Sequence, residues 1–269
     1  LKDQQATTQF FKEEKPQVVI DAAAKVGGIW ANNQYPYEFL MYNMLIQNNL
    51  INNSLKNDVK KFIFLGSSCI YPKMAPQPLK EEYLLSSALE PTNQWYAIGK
   101  ISGVKLIEAI RTQYKKDYVA LMPTNLYGPG DNYDLETSHV LPAMLRKFHE
   151  AKENKHTPVT LWGSGTPLRE FLHVDDLAEA VIFSMVNTFE ESLYNVGSGE
   201  ERTIEELALL IQEIVGHKGE IIWDKSKPDG TPRKLLDSTK FKNLGWESVI
   251  SLENGIKMTY SNFLENSLS

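Results

Sequence analysis

Tyr96 and Lys100 stand four residues apart, so on a helix they share one face. An ammonium beside a phenol favours the phenolate, and such a pair can exchange protons with a carbonyl or an alcohol near neutral pH. Ser67 closes the apolar run Lys61-Phe62-Ile63-Phe64-Leu65-Gly66 and could offer a hydroxyl to the same oxygen. In isolation Tyr-x-x-x-Lys is a weak signal, because an exposed helical pair satisfies it equally well. The question is whether the chain brings this helix to the end of that strand.

The pattern of elements says that it does. A polar amphipathic stretch, Gln5 to Glu14, leads through Pro16 into Val18-Val19-Ile20 and then Ala22-Ala23-Ala24, which reads as helix, turn and buried strand. A helical pattern over Glu38 to Leu55 precedes the strand at 61–66, and an apolar helical face over Tyr96 to Lys115 precedes a strand from Tyr118 to Met122. Strands alternating with helices at these lengths predict a parallel sheet covered on both faces, whose chemistry gathers in loops at the carboxyl ends of the strands. The pair at 96 and 100 therefore opens a helix next to a strand that stops at Ser67-Ser68.

After Asn125 the alternation loosens into a loop rich in Gly, Pro and Asp, and a helix follows through about His149. Val159 to Trp162 and Glu220 to Trp223 read as short strands, Val174 to Phe189 as a helix opened by Asp175 and Asp176, and Ser251 to Leu264 as a last helix. Thr203-Ile204-Glu205-Glu206 is a capping box for a helix to Val215. We read two discontinuous domains: residues 1–128 with 170–197, and residues 129–169 with 198–269.

Composition narrows the classes. With 42% hydrophobic and 23% charged residues the chain is an ordinary globular one, neither disordered nor fibrous. The net charge of −6, with no long charge run, argues against nucleic-acid binding. No apolar run approaches the roughly 18 to 20 residues that cross a bilayer, so no membrane span is expected. A single cysteine, Cys69, excludes an intramolecular disulfide and a multi-cysteine zinc site and suits a reducing compartment, for which the cytoplasm is expected. Asp175 and Asp176 lack a histidine or carboxylate partner at metal-ligand spacing, so no metal is expected, and His149, His156, His173 and His217 are scattered.

Longer strings are more specific. Phe64-Leu65-Gly66-Ser67-Ser68-Cys69-Ile70-Tyr71-Pro72-Lys73, Glu90-Pro91-Thr92-Asn93 running on to Tyr96-Ala97-Ile98-Gly99-Lys100, and Pro123-Thr124-Asn125-Leu126-Tyr127-Gly128-Pro129 resemble the GDP-L-fucose synthase family of extended short-chain dehydrogenase/reductases. So do Ser138-His139-Val140-Leu141-Pro142, the segment from Trp162 to Phe171, and Lys227-Pro228-Asp229-Gly230-Thr231-Pro232-Arg233-Lys234, all in family order along the whole chain.

The resemblance implies a Rossmann-type doubly wound parallel sheet with a smaller α/β substrate domain, and a homodimer built on helices at about Phe39 to Leu55 and Tyr96 to Tyr114. It implies conversion of GDP-4-keto-6-deoxy-D-mannose to GDP-L-fucose, by epimerisation at C3 and C5 and reduction at C4 with NADPH. Tyr96 would donate the proton in reduction, Lys100 would support it and bind the cofactor ribose, Ser67 would orient the carbonyl, and Cys69 and His139 would be the epimerisation base and acid. A 4-keto group acidifies the hydrogens on C3 and C5, so one such pair could serve both carbons. Leu65, Gly66, Ser67, Ser68, Lys100, Pro123, Thr124, Asn125, Leu126 and His139 would line the NADP(H) site. Lys147, Trp162, Arg169, Asp229 and Lys234 would hold the GDP-sugar, cations on the diphosphate and an aromatic face for stacking. An NAD-dependent sugar-nucleotide epimerase or dehydratase, or a non-catalytic sugar-nucleotide-binding protein, would share parts of this set.

Two departures stand out. Family members begin with a strand, a glycine-rich turn and a helix that cradle the cofactor pyrophosphate, and the sequence starts roughly 40 residues too late to contain them. Gly99 stands where the family often has Ala, at a helix-propensity cost of about 0.5 to 1 kcal/mol.

Overall fold

The computed structural model describes residues 1–227 and 229–267. Its elements run α1 (Gln4–Glu14), β1 (Val18–Asp21), α2 (Ile29–Gln34), α3 (Pro36–Lys56), β2 (Lys61–Leu65), α4 (Gln94–Tyr114), β3 (Asp117–Pro123), β4 (Asn125–Tyr127), α5 (Val140–Glu153), β5 (Val159–Trp162) and β6 (Leu168–His173). They continue as α6 (Val174–Val186), β7 (Leu193–Val196), β8 (Glu201–Thr203), α7 (Ile204–Val215), β9 (Ile221–Asp224), β10 (Arg233–Lys234), α8 (Thr239–Lys242) and α9 (Leu252–Ser267).

The main sheet is all parallel, in the order β1-β2-β3-β7. Side chains alternate across it as the two-residue period of a strand requires. Phe62 and Phe64 of β2, with Tyr118, Ala120 and Met122 of β3, pack into a core with Ile101, Val104 and Ile107 of α4. Ile63, Val119 and Leu121 point the other way, into a core with Leu177, Ala180 and Val181 of α6. Both faces are therefore buried, as expected of a doubly wound sheet. The seam between α4 and β2 is close: a Cβ at Gly103 would lie 2.6 Å from Phe64 Cζ.

The rest of the chain forms smaller sheets. β10, β6 and β4 pair in parallel, with β8 antiparallel on β6, and β5 pairs with β9. A third core joins α5, α7 and α9 over β5, through Leu145, Phe148, Leu161, Ala208, Ile211 and Ile256 among others. The capping box of α7 is present, Thr203 Oγ1 accepting from Glu206 N and Glu206 Oε2 accepting from Thr203 N.

Sequence periodicity missed β6 and β7, and the opening of α6 differs from expectation. His173 supplies the cap, its Nδ1 accepting from Asp175 N, while the buried Asp176 carboxylate accepts from Val249 N and Ile250 N and ties that distant loop to the helix. A short aspartate-rich helix start has two uses for its carboxylates, and tertiary bonding takes one of them. No described helix is long and apolar enough to cross a membrane.

Candidate active site

The carboxyl end of β2 carries the first cluster. Ser67 begins a single 3-10 turn, Ser68–Ile70, and its Oγ accepts from Cys69 N at 3.2 Å. The turn keeps the serine hydroxyl beside both the backbone amide and the thiol of Cys69. Cys69 is half-buried, and the Lys234 ammonium donates to its Sγ at 3.4 Å. Burial pushes the thiol up, but the charge of Lys234 and the hydrogen bonds from Ser67 and Lys234 outweigh it and bring the thiol below its ordinary value. Ser68, Cys69, Tyr71, Asn93, Thr231 and Lys234 line one cleft, in which Asn93 Oδ1 is buried without a hydrogen-bond partner among the described residues.

α4 delivers Tyr96 and Lys100 to the same place. Lys100 is only 3% exposed; its Nζ donates to Leu65 O at 2.8 Å and lies 4.7 Å from the Phe64 ring centroid and 6.0 Å from that of Tyr96. The ammonium is thus drawn to the strand end and not to the phenol, which differs from the simple expectation that it makes Tyr96 a phenolate. Burial and the negative charge on Cys69 push the Tyr96 phenol well up, with only the Ser67 hydroxyl opposing. A phenol that keeps its proton is the state required of a proton donor.

Sequence reading passed over Asp21. It ends the apolar strand β1 in register with Phe64, is 1% exposed, and has one oxygen accepting from Ala23 N while Oδ2 has no partner among the described residues. Burial raises its carboxyl, and Lys100 pulls the other way. In turn, burial lowers Lys100 to about 8 while Asp21 holds it from falling further. An acidic residue closing an otherwise apolar strand was the available signal.

His139 sits at the N-cap of α5 with its side chain still accessible. Partial desolvation lowers its imidazole, Asp131 raises it, and Lys234 lowers it again, so His139 and Cys69 share Lys234 as an electrostatic neighbour.

The loop at 123–126 is more engaged in the fold than its polar residues suggest. Thr124 N donates to Val196 O, Thr124 Oγ1 and Asn125 Nδ2 both donate to Glu170 O, Pro123 is buried in β3, and Leu126 packs against the α6-side core. At Gly66 a Cβ would run into the Met122 side chain, which explains the glycine without a ligand. The implied NADP(H) still has groups that fit it: among the described residues Lys100 Nζ has one hydrogen bond, to the Leu65 carbonyl that ends β2, and Asp21 Oδ2 has none, and both residues are buried, with spare capacity suited to ribose hydroxyls.

A second cluster lies along β5 and β6. Trp162 is 68% exposed, with Lys147 Nζ 6.0 Å and Lys227 Nζ 5.5 Å from its ring centroid. Asp229 accepts from Ser164 N and Oγ at 2.9 and 2.7 Å, which holds its carboxyl low together with nearby Arg169. Arg169 does not pair with Glu170: its Nη1 donates to Leu168 O, while the fully buried Glu170 accepts from Gly199 N and Leu236 N. Lys147, Trp162, Arg169 and Asp229 are thus brought together, joined by Lys227 and Ser164, which the sequence reading did not select. Lys234 belongs instead to Cys69. Pro228 of the same block lies outside the described residues. Among the described residues no group of three or more His, Cys, Asp or Glu could hold a metal.

Known proteins resemble this arrangement. The NAD dependent epimerase/dehydratase family profile matches residues 1–197. GDP-L-fucose synthase 1 of Arabidopsis thaliana is 55% identical over 96% of the chain and 80% of its own length, and the GDP-L-fucose synthase of Escherichia coli (strain K12) is 54% identical over 99% and 86%. The crystal structure of a GDP-L-fucose synthetase from Naegleria fowleri bound to NADP superposes with a TM-score of 0.91 at 31% identity, covering 100% of the chain and 82% of that structure. The chain belongs to the NAD dependent epimerase/dehydratase family, on the branch of the GDP-L-fucose synthases.

Proposed function

We propose that the protein converts GDP-4-keto-6-deoxy-D-mannose to GDP-L-fucose, epimerising C3 and C5 and reducing C4 with NADPH. The observation that carries the reading is the joint placement of a thiol under an ammonium and a protonated phenol beside a serine at one strand end. When bound, NADPH supplies the hydride that C4 receives. The residues supply the rest. Cys69 as thiolate and His139 as its acid partner move protons at C3 and C5, on opposite faces of an enolate stabilised by the 4-keto oxygen. Tyr96 then gives its proton to the C4 oxygen, Ser67 holds that oxygen in place, and Lys100 with Asp21 fixes the charge behind them and offers bonds to the cofactor ribose.

The assignment of the remaining residues follows from position. Leu65, Gly66, Ser68 and the 123–126 loop form the wall of the cofactor side, and Lys147, Trp162, Arg169 and Asp229 grip the nucleotide diphosphate and base. On this reading residues 1–128 with 170–197 bind the dinucleotide and the rest binds the sugar nucleotide. We also infer a homodimer through the outer faces of α3 and α4, where Tyr37, Met41, Leu45, Trp95 and Ile98 are exposed apolar side chains. Gly103 takes no part there, since it faces Phe64. Light scattering at micromolar protein tests this, and a monomer rejects it. A cysteine used as thiolate suits the reducing cytoplasm.

Full-length protein mixed with GDP-4-keto-6-deoxy-D-mannose and NADPH should consume the reduced nicotinamide and yield a product that co-elutes with GDP-L-fucose. Folded protein that turns over the sugar nucleotide without net NADPH loss would instead be a cofactor-retaining epimerase or dehydratase.

A further inference from the structure

The family-like position of Lys234 suggests a diphosphate ligand, but its ammonium points at sulfur, 3.4 Å from Cys69 Sγ. The backbone leaves it little choice. β10 is two residues long and fixed on both flanks: Lys234 pairs with Arg169 of β6, and Arg233 makes two hydrogen bonds to the Glu201 carboxylate, at 2.8 and 2.7 Å. The following residues are stitched to the segment just beyond the Cys69 turn. Leu235 N donates to Gln77 Oε1, Leu79 N to Leu235 O and Asp237 N to Leu79 O, while Leu236 N donates to the buried Glu170 carboxylate. The second sheet thereby carries one cation onto a thiol that belongs to the first.

The groups facing the sulfur come from each packed element. Lys234 comes from β10, the Ser67 hydroxyl from the cysteine's own turn and the Tyr96 phenol from α4; His139, at the N-cap of α5, feels the charges of Asp131 and Lys234. The Lys234 ammonium is the group that donates to the sulfur at 3.4 Å, and an ammonium at this distance in a half-enclosed cleft favours thiolate over thiol.

We propose that Lys234 is a positioning residue of the epimerisation step: its ammonium holds Cys69 as the thiolate that removes the proton from carbon. This rests on reading Cys69 as the base. The thiolate takes the proton, the C–H electron pair moves into the enolate, a proton returns from the acid partner on the other face, and Lys234 keeps its own three protons throughout. The base is therefore ready before substrate arrives.

Cys69 is the chain's one cysteine, so alkylation by iodoacetamide reports its ionisation alone. The pH dependence of alkylation should have a midpoint below the roughly 8.5 of a free cysteine. Lys234→Met should raise that midpoint by about one pH unit and slow alkylation at pH 7 about tenfold, and Lys234→Arg should restore both. Deuterium exchange at C3 and C5 should fall at pH 7 in the Met variant and recover as pH rises. An ordinary midpoint in the unsubstituted protein overturns the proposal without recourse to any variant. So does an unshifted midpoint in a Met variant with native circular dichroism, whatever its activity, which would return Lys234 to the substrate. A shifted midpoint with exchange intact overturns the reading of Cys69 as base, and the role of Lys234 in epimerisation with it, while leaving the ion pair standing.

Discussion

The two clusters of cations handle solvent in opposite ways. Lys100 is almost fully buried and Lys234 half-buried, and each has defined protein partners: Asp21 and the Leu65 carbonyl in one case, Cys69 in the other. Lys147 and Lys227 lie over the face of a tryptophan that is mostly exposed. Coulombic effects are several-fold larger in an enclosed site than near bulk water. Enclosed lysines therefore set the proton affinities of their neighbours, whereas open ones add grip to a polyanion. Substitutions in the first region should act on kcat and its pH dependence, and those in the second on KM.

The largest test separates two chemistries within the enclosed region. Cys69→Ser should lower deuterium exchange at C3 and C5 by about 10²- to 10⁴-fold, the usual worth of a positioned base. Tyr96→Phe should leave exchange near its original rate and lower reduction by a similar factor. Mass spectrometry of the sugar nucleotide in D₂O reads the first and nicotinamide absorbance the second. Loss of both activities in each variant would mean that the turn at 67–69 and the α4 face act as one unit.

Asp21→Asn should have a smaller effect, visible in pH. Burial brings Lys100 to about 8, and the Asp21 charge is what opposes a further fall. Without that charge the ammonium is lost at lower pH, so the alkaline limb of kcat for reduction should move acidward by about one unit, roughly tenfold in rate on that limb. Exchange at C3 and C5 should keep its profile. An unmoved limb would show that reduction does not sense the ionisation of Lys100.

The open region predicts a different signature. Trp162→Ala removes the ring that two ammonium groups share, a contribution of about 0.5 to 1 kcal/mol per exposed cation–π contact. KM for the GDP-sugar should rise by roughly fivefold to thirtyfold with kcat unchanged. A fall in kcat at saturating substrate would break the division between the regions.

Much of the enclosed site was legible because its residues sit where periodic elements stop. Ser67 ends an apolar run, and Tyr96 and Lys100 share a helical face, so local pattern alone brings them to one edge of a parallel sheet. The longer motifs added Cys69 and His139. What could not be read was set by tertiary contact. The pairing of a two-residue strand with β6, which sends Lys234 to Cys69 and not to an open phosphate site, leaves no periodic trace. The carboxylate that closes the apolar strand β1 is visible in the sequence at Asp21, but only the folded chain shows that it acts on Lys100 of α4. β6 and β7 were missed for a related reason. The run Leu168 to His173 mixes charged and apolar residues, yet Glu170 is fully buried because backbone amides of two other segments bond its carboxylate.

The smallest prediction concerns the scaffold behind the enclosed cluster. Gly99 lies inside α4, next to Lys100, and its carbonyl accepts from Gln47 Nε2 and Ser102 Oγ, both at 2.7 Å. Those bonds use the backbone, so an alanine keeps them. A Cβ there would meet Asn43 Cβ at 3.4 Å and Leu40 O at 3.7 Å, ordinary contacts across the seam with α3. Removing a helix-interior glycine should then stabilise the protein by about 0.5 to 1 kcal/mol and raise Tm by roughly 1 to 4 °C. The pH profile of reduction should not move, because Nζ of Lys100 is held from the strand side by Leu65 and not from α3. A Gly99→Ala variant with lower Tm would mean that α3 cannot yield at Asn43, whose amide bonds Lys25 and Phe39. A shifted alkaline limb at unchanged Tm would instead show that the enclosed cluster is tuned from behind its helix as well as from the sheet.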